Sequence, residues 1–315
     1  MIDLHALHPH VQYGIVAIWA VLVLASVMVW ALVKAKPQKD YRELVLRTRS
    51  WWMMIAIFSA AMIASKTAAL CLLGFISFLA LKEYLSMIPT RRADRRVMFW
   101  AYLAIPLQFY WASIAWYGMF VVFIPVYMFL VIAARMLLTQ KTEGFLKAVG
   151  TIHWGLMTTV FSLSHAAYLL VLPERPISPA GGPGFLLFLI FLTQFNDVAQ
   201  YVWGKCVGKH PIIPAVSPKK TWEGFLGGII STMLLAALIA PYLTPMNMQL
   251  ALGAGALIAI TGFVGDVIIS AVKRDIGVKD TGALIPGHGG IMDRVDSLTF
   301  TAPQFFYFIC YFYGY

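Results

Sequence analysis

Ionisable side chains and glycines are concentrated between Asp266 and Asp296, directly after a long apolar run. Carboxylates, cations and an imidazole cost free energy close to hydrocarbon unless they pair, bind a metal or meet solvent. A hydrophobic chain therefore has little structural reason to gather them, and the segment is a candidate active site. Its candidate site residues are Asp266, Ser270, Lys273, Arg274, Lys279, Asp280, His288, Asp293, Arg294 and Asp296.

The first members of this segment have helical spacing. Asp266, Ser270, Lys273 and Arg274 occupy positions i, i+4, i+7 and i+8, which share one helix face. If the apolar helix continues to Arg274, a carboxylate lies a turn or two deeper in the membrane than two cations, an arrangement suited to a metal and phosphate groups. The alternative is a structural ion pair between Asp266 and one of the two cations. Carboxylates inside membrane spans are functional by default.

The loop that follows adds glycines on both sides of His288. Glycine lets backbone N–H groups approach an anion closely. Asp266 and Asp293 offer hard oxygen atoms of the kind Mg²⁺ prefers, and Mg²⁺ is usually held by one or two carboxylates together with substrate phosphates. We therefore predict Mg²⁺ as the cofactor. A loop histidine is as readily solvated as catalytic, so the role of His288 stays open.

A second cation-rich loop follows Asp197, which lies near the end of the apolar run 184–203. Its cations are Lys205, Lys209, Lys219 and Lys220. Lysines can neutralise a triphosphate as point charges, or they can simply anchor helix ends at the membrane surface. Beyond them, Gly227-Gly228 predicts a close approach between helices.

Composition indicates a polytopic, all-α membrane helix bundle. The chain has 315 residues, of which 60% are hydrophobic and 12% charged. A spanning helix needs roughly 20 apolar residues, and the apolar runs predict about ten transmembrane helices with the N-terminus outside and the first run retained as a helix. The run 51–87 is too long for one helix and contains Lys66, so we predict two helices there, the first one short. Basic loops then fall on the cytoplasmic side, together with the polar segments.

Most of the unusual chemistry lies in the second half of the chain. Residues 1–180 have the pattern of about six apolar helices with basic ends, and residues 181–315 are predicted to be the catalytic half of a single integrated membrane domain. Cys71, Cys206 and Cys310 lie far apart and indicate neither a disulfide framework nor a zinc site.

The net charge of +10 is spread over short loops without a nucleic-acid-binding motif. We therefore expect anionic lipid headgroups and phosphate-bearing substrates as partners, and no nucleic acid. Walker A, GxGxxG, HExxH and GxSxG motifs are absent from suitable contexts. Phosphoryl or nucleotidyl transfer remains, because it depends mainly on charge neutralisation by metals, lysine and arginine.

One long motif resembles a known family. The pattern Ser270-x-x-Lys273-Arg274-x4-Lys279-Asp280-x5-Pro286-x-His288-Gly-Gly-x-x-Asp293-Arg294-x-Asp296 closely resembles the signature of the phosphatidate cytidylyltransferases, also called CDP-diacylglycerol synthases. The segments Asn196-Asp197, Gly204-Lys205 and Ser217-Pro-Lys-Lys-Thr-Trp-Glu-Gly224 are similar to a second block of that family. The resemblance covers about residues 190–298. Upstream, Glu83 alone resembles a family residue, an acidic one near a helix end.

The resemblance implies a Mg²⁺-dependent reaction of CTP with phosphatidic acid, giving CDP-diacylglycerol and pyrophosphate. It implies a protein of the bacterial inner membrane or of the eukaryotic endoplasmic reticulum, of which we expect the first. The protein would be surrounded by membrane lipids with its site facing the cytoplasm; a homodimer is left open. The implied metal ligands are Asp266 and Asp293. The implied substrate-binding residues are Lys205, Ser217, Lys219, Lys220 and Ser270. The implied catalytic residues are Asp197, Lys273, Arg274, Lys279, Asp280, His288, Arg294 and Asp296.

The expected mechanism is an in-line attack by a phosphatidate oxygen on the α-phosphorus of CTP, which requires no protein nucleophile. One alternative keeps the CTP chemistry but uses an isoprenoid- or archaeol-type lipid phosphate. Another is an ion-coupled transporter with Asp197, Asp266 and Lys66 on the ion path, which predicts charges spread through the depth of the bilayer.

Overall fold

The structure is a computed structural model that describes residues 7–35, 38, 40–89, 95–173, 178–282, 284 and 289–315. Over these residues the chain forms ten continuous helices, two of which contain a π-helical turn. The first four are α1 (Pro9–Ala35), α2 (Arg42–Ala64), α3 (Lys66–Met87) and α4 (Arg95–Ser113). In the fifth, a π-helical turn separates α5 (Tyr117–Val122) from α6 (Phe129–Leu137); in the sixth, another separates α7 (Phe145–Leu156) from α8 (Ser162–Val171). The last four are α9 (Gly181–Val207), α10 (Trp222–Leu243), α11 (Met248–Ile276) and α12 (Met292–Tyr313).

Seven of these ten helices in the described ranges are long and apolar enough to cross a membrane. They are α1, α3, Tyr117–Leu137, Phe145–Val171, α9, α10 and α11. The predicted polytopic helical bundle is confirmed, whereas the count of ten spans stays a prediction for α2, α4 and α12. Helix α10 presents an exposed apolar stripe, repeating every fourth residue, of the kind that faces hydrocarbon. The stripe consists of Trp222, Leu226, Ile230, Leu234, Leu238 and Tyr242.

The predicted break near Lys66 is confirmed. Ser65 caps α3, because its hydroxyl oxygen accepts a hydrogen bond of 3.0 Å from the backbone N–H of Ala68. The prediction of a short first helix is wrong, since α2 has 23 residues and begins at Arg42. An ion pair between Glu43 and Arg47, one helical turn apart, supports this extension through the basic segment.

A small hairpin joins α9 to α10 and is the part of the described fold that helix patterns did not predict. Strand β1 (Pro211–Ile213) pairs antiparallel with β2 (Ser217–Thr221). At the end of β2, the Thr221 hydroxyl oxygen accepts from the backbone N–H of Gly224 at 3.2 Å and caps α10. The Glu223 carboxylate accepts from the backbone N–H groups of Lys209 and His210, at 3.0 and 3.2 Å. The hairpin is therefore fixed to the start of α10.

The predicted close approach at Gly227-Gly228 is confirmed. A Cβ atom on Gly228 would lie 2.3 Å from Gln200 Cγ, and one on Gly224 would lie 2.8 Å from the backbone oxygen of Gln200. The backbones of helices α9 and α10 consequently come into close contact beside the hairpin.

Helix α12 packs against both halves of the chain. The ring of Phe305 stacks on that of Phe188 in α9, with centroids 5.5 Å apart. On another face, the Tyr307 hydroxyl lies 3.4 Å from Nε2 of the fully buried His165 in α8. These contacts fix the position of α12, whose first turn carries part of the signature motif.

Candidate active site

A cavity of about 240 Å³ collects polar residues from four parts of the chain. They come from α9, β2, the end of α11 with the loop after it, and the first turns of α12. The described lining consists of Asp197, Lys220, Asp266, Lys273, Asp280, Asp293, Arg294 and Asp296. Every one of these residues was predicted from the sequence as a site residue.

Helix α11 carries its polar residues into the cavity by continuing past the apolar run. It ends at Ile276, where Gly277 adopts a left-handed φ of 79°. The Ser270 hydroxyl donates to Asp266 Oδ1 at 3.3 Å, so the predicted shared face holds for these two residues. The guanidinium of Arg274 instead donates to the backbone oxygens of Val216 and Val278. Arg274 therefore links α11 to the hairpin turn.

The carboxylate of Asp266 pairs with a cation from the hairpin. Its Oδ2 lies 2.5 Å from Lys220 Nζ, and the two side chains are only 24% and 22% exposed. Burial by itself lowers the pKa of Lys220, but the carboxylates of Asp266 and Asp197 outweigh burial and raise this pKa above its ordinary value of 10.5. The partner of Asp266 is thus neither Lys273 nor Arg274, as the alternative interpretation had it, but a lysine that joins β2 to α11.

Lys273 pairs instead with Asp293, at 2.8 Å between Nζ and Oδ1. The other oxygen of Asp293, Oδ2, accepts from the Thr281 backbone N–H at 2.9 Å, the Thr281 hydroxyl at 2.9 Å and the Gly290 backbone N–H at 3.0 Å. A carboxylate oxygen offers about two lone-pair sites. Oδ2 is therefore fully engaged, while Oδ1 keeps acceptor capacity beside Lys273.

Two further carboxylates occupy the same cavity. The Ser297 hydroxyl donates to Asp197 Oδ1 at 3.0 Å, and the Ser297 backbone N–H donates to Asp296 Oδ1 at 2.8 Å. Arg294 also lines the cavity, and its Nε is buried without a hydrogen-bond partner among the described residues. Such an unsatisfied donor beside several carboxylates indicates a site that is completed by another molecule.

The donor set fits the predicted Mg²⁺, with one restriction. Within the described ranges, no three His, Cys, Asp or Glu side chains form a group that could hold a metal by themselves. Mg²⁺ usually takes one or two carboxylates and completes its shell with water and substrate phosphates. Asp266 and Asp293 both line the cavity and supply such oxygens, so they fit a metal whose remaining ligands come with the substrate.

The other predicted residues that the structure describes lie apart from this lining. Lys205, Lys219 and Lys279 are exposed, and Lys205 Nζ lies 5.7 Å from the centre of the Tyr201 ring. Ser217 pairs with Ile213 across the hairpin. His288 falls outside the residues that the structure describes.

The sequence analysis assigned no site role to three polar residues that hold the site together, namely Glu83, Thr281 and Ser297. Thr281 and Ser297 directly follow Asp280 and Asp296 in the signature, and hydroxyls next to a carboxylate motif are the signal that could have identified them. Glu83 lies in α3, and only the family resemblance drew attention to it.

Comparison with known proteins places the chain in a family. A model of the Cytidylyltransferase family matches residues 45–312. The uncharacterized protein YnbB of Escherichia coli (strain K12) is 45% identical over 300 residues, which cover 95% of this chain and 98% of that protein.

Two relatives carry the name phosphatidate cytidylyltransferase. The protein from Mycobacterium bovis (strain ATCC BAA-935 / AF2122/97) is 34% identical over 160 residues, or 51% of this chain and 52% of the relative. The protein from Staphylococcus aureus (strain COL) is 37% identical over 123 residues, or 39% of this chain and 47% of the relative. The match thus spans about half the length of each. Because the family match extends over most of the sequence, the chain belongs to the cytidylyltransferase family.

Proposed function

We propose that this protein transfers the cytidylyl group of CTP to phosphatidate, giving CDP-diacylglycerol and pyrophosphate for phospholipid biosynthesis. The observation that carries the proposal is the single cavity in which the carboxylates and cations of the signature converge. Family membership supports the nucleotidyl transfer, and the names of two relatives support phosphatidate as the acceptor.

The charges in the cavity suit two phosphate-bearing substrates. Lys220 and Lys273 are each held by a carboxylate, Asp266 and Asp293 respectively. When triphosphate and lipid phosphate enter, these ammonium groups and Arg294 bind the phosphate oxygens. Mg²⁺ held by Asp266 and Asp293 would neutralise the charge that develops on the phosphates and on the departing pyrophosphate.

The reaction needs no protein nucleophile. A phosphatidate oxygen attacks the α-phosphorus of CTP, a new P–O bond forms, and the bond to the bridging oxygen of the pyrophosphate breaks. The pyrophosphate leaves with that electron pair. Because phosphatidate is already ionised at neutral pH, the contribution of the protein is orientation and electrostatic stabilisation.

The placement of the cavity suits a lipid substrate. Its helical residues come from the second halves of α9 and α11 and from the first turns of α12, toward one end of these helices. We propose that this end faces the cytoplasm of a bacterial inner membrane, because basic residues flank it and cytoplasmic ends of spans are rich in Lys and Arg. Acyl chains then stay in the bilayer while CTP arrives from the aqueous side.

The proposal is tested by product identification. Purified protein in mixed micelles is given CTP labelled at the α-phosphorus, with dioleoyl phosphatidate in one arm and an isoprenyl phosphate in the other. We expect label to enter the lipid phase as CDP-diacylglycerol in the first arm. Label in the second arm alone would favour the other lipid phosphate.

An ion-coupled transporter is the remaining alternative, and it predicts ion uptake into proteoliposomes without CTP. The described carboxylates and cations of the cavity gather at one end of the helices, which favours an enzyme. Uptake with no labelled lipid in either arm would contradict the proposal.

A further inference from the structure

Glu83, near the end of α3, reaches the start of α12. Its Oε1 accepts from the backbone N–H of Ile291 at 2.9 Å, and its Oε2 accepts from that of Met292 at 2.9 Å. The first turn of a helix leaves N–H groups without intrahelical partners and carries a partial positive charge. A carboxylate more than two hundred positions away in sequence thus supplies the acceptors that α12 lacks.

The same carboxylate meets the network around Asp293. Oε2 of Glu83 lies 3.2 Å from the Thr281 hydroxyl oxygen, which lies 2.9 Å from Asp293 Oδ2. A threonine hydroxyl has one proton and donates to one acceptor at a time. Glu83 and Asp293 therefore share this donor. When Thr281 turns to Glu83, Asp293 Oδ2 keeps its two N–H donors, which match its two lone-pair sites.

Two glycines in the loop beside Glu83 make this contact possible. A Cβ atom on Gly290 would lie 2.3 Å from both Glu83 Oε2 and the Thr281 hydroxyl oxygen. Gly289 has a φ of 80°, a left-handed conformation that glycine adopts without strain. Any larger residue at Gly290 would separate the carboxylate from the turn that it holds.

We propose that Glu83 is a positioning residue for the transfer reaction: it holds the first turn of α12 and, through Thr281, the orientation of Asp293. This inference rests on the proposed cytidylyl transfer. It assigns to the first half of the chain a role in a site whose described lining lies wholly in the second half.

The test uses the full-length protein in lipid nanodiscs and compares Glu83→Gln with Glu83→Asp. Glutamine keeps the shape but turns one acceptor into an NH₂ group facing an N–H donor, while aspartate keeps the charge on a shorter stem. Lys82→Gln, an exposed neighbour on the same turn, is the matched control. We expect kcat to fall by about 10–100-fold in Glu83→Gln, as for other residues that orient ligands at a site. KM for CTP should change little, because the cavity cations remain, and Glu83→Asp should recover part of kcat.

Hydrogen exchange at the Ile291 and Met292 amides gives a readout that does not depend on turnover. We expect faster exchange in Glu83→Gln than in wild type and in Lys82→Gln. Absence of cytidylyl transfer by folded wild type would overturn the proposed function and with it the positioning role of Glu83 in that reaction. The exchange rates would still report its contact with the first turn of α12. If wild type is active, unchanged kcat in Glu83→Gln, or unchanged exchange at both amides, would overturn the inference about Glu83 alone.

Discussion

The ammonium of Lys273 lies 2.8 Å from Oδ1 of Asp293, so the last turns of α11 are bonded to the first turn of α12. Both side chains are largely buried, at 11% and 6% exposure. This pair connects the two ends of the signature motif across the cavity and lies on the oxygen of Asp293 that keeps acceptor capacity.

Breaking this pair should be costly. Lys273→Met leaves the Asp293 carboxylate without its cation, and removing one partner of a buried ion pair typically costs about 3–5 kcal/mol. We expect a clear drop in the thermal unfolding temperature of the detergent-solubilised protein. The double variant Lys273→Met/Asp293→Asn should lose less than the sum of the two single losses, because the uncompensated charge is gone. Strict additivity of the three measurements would show that the pair is not coupled.

The two adjacent lysines of β2 provide a matched comparison. Lys220 lines the cavity and contacts Asp266, whereas Lys219 is exposed. Lys220→Gln should therefore lower kcat/KM for CTP by at least about tenfold, the effect expected for a lost charge-assisted contact. Lys219→Gln should lower it less. Steady-state rates at several salt concentrations separate the two, since exposed charges are screened. Equal losses in both variants would contradict the assigned cavity lining.

The protonation state of Lys220 leads to a prediction about pH. Its pKa is raised above 10.5 by Asp266 and Asp197 despite burial. A raised pKa contributes stability that is fully present below the unfolded value and is lost as pH rises through the folded value. The difference in unfolding temperature between wild type and Lys220→Gln should accordingly not shrink from about pH 7 to 9. A difference that shrinks within this range would mean that Lys220 titrates near neutrality.

Space at Gly290 can be probed by the smallest side chain. In Gly290→Ala, the new Cβ would meet Glu83 Oε2 and the Thr281 hydroxyl at 2.3 Å, so we expect a large loss of activity. Gly150→Ala is the control, because a Cβ there meets nothing within 4 Å. Alanine should leave activity unchanged at this helical position and stabilise α7 by about 0.5–1 kcal/mol. Parallel losses of activity in both variants would refute the close contact at Gly290.

Much of the helical framework could be predicted because it depends on local sequence. Lys66 interrupts an apolar run, and the break lies at Ser65. The face shared by Asp266 and Ser270 follows from helical spacing alone. The start of α2 at Arg42 was not predicted, because the first turns of this helix carry charged residues and lie outside the apolar run.

The partners within the site could not be predicted in the same way. Spacing along α11 indicates which side chains share a face, but not that Asp266 meets Lys220 from a hairpin or that Lys273 meets Asp293. The hairpin itself is short and contains proline and lysine, so it lacks the alternating apolar pattern of strands. Glu83 lies in α3, far away in sequence, and its contact with the start of α12 depends on tertiary packing alone.

The most direct test of the account is pyrophosphate release from CTP by purified protein in micelles, with and without phosphatidate. Wild type, Asp293→Asn and Lys219→Gln are compared in Mg²⁺, with ATP as the control nucleotide. We predict release that requires CTP and phosphatidate together, is lost in Asp293→Asn and is largely kept in Lys219→Gln. A folded wild-type protein that releases no pyrophosphate, or releases it equally without phosphatidate, would contradict the proposed cytidylyl transfer.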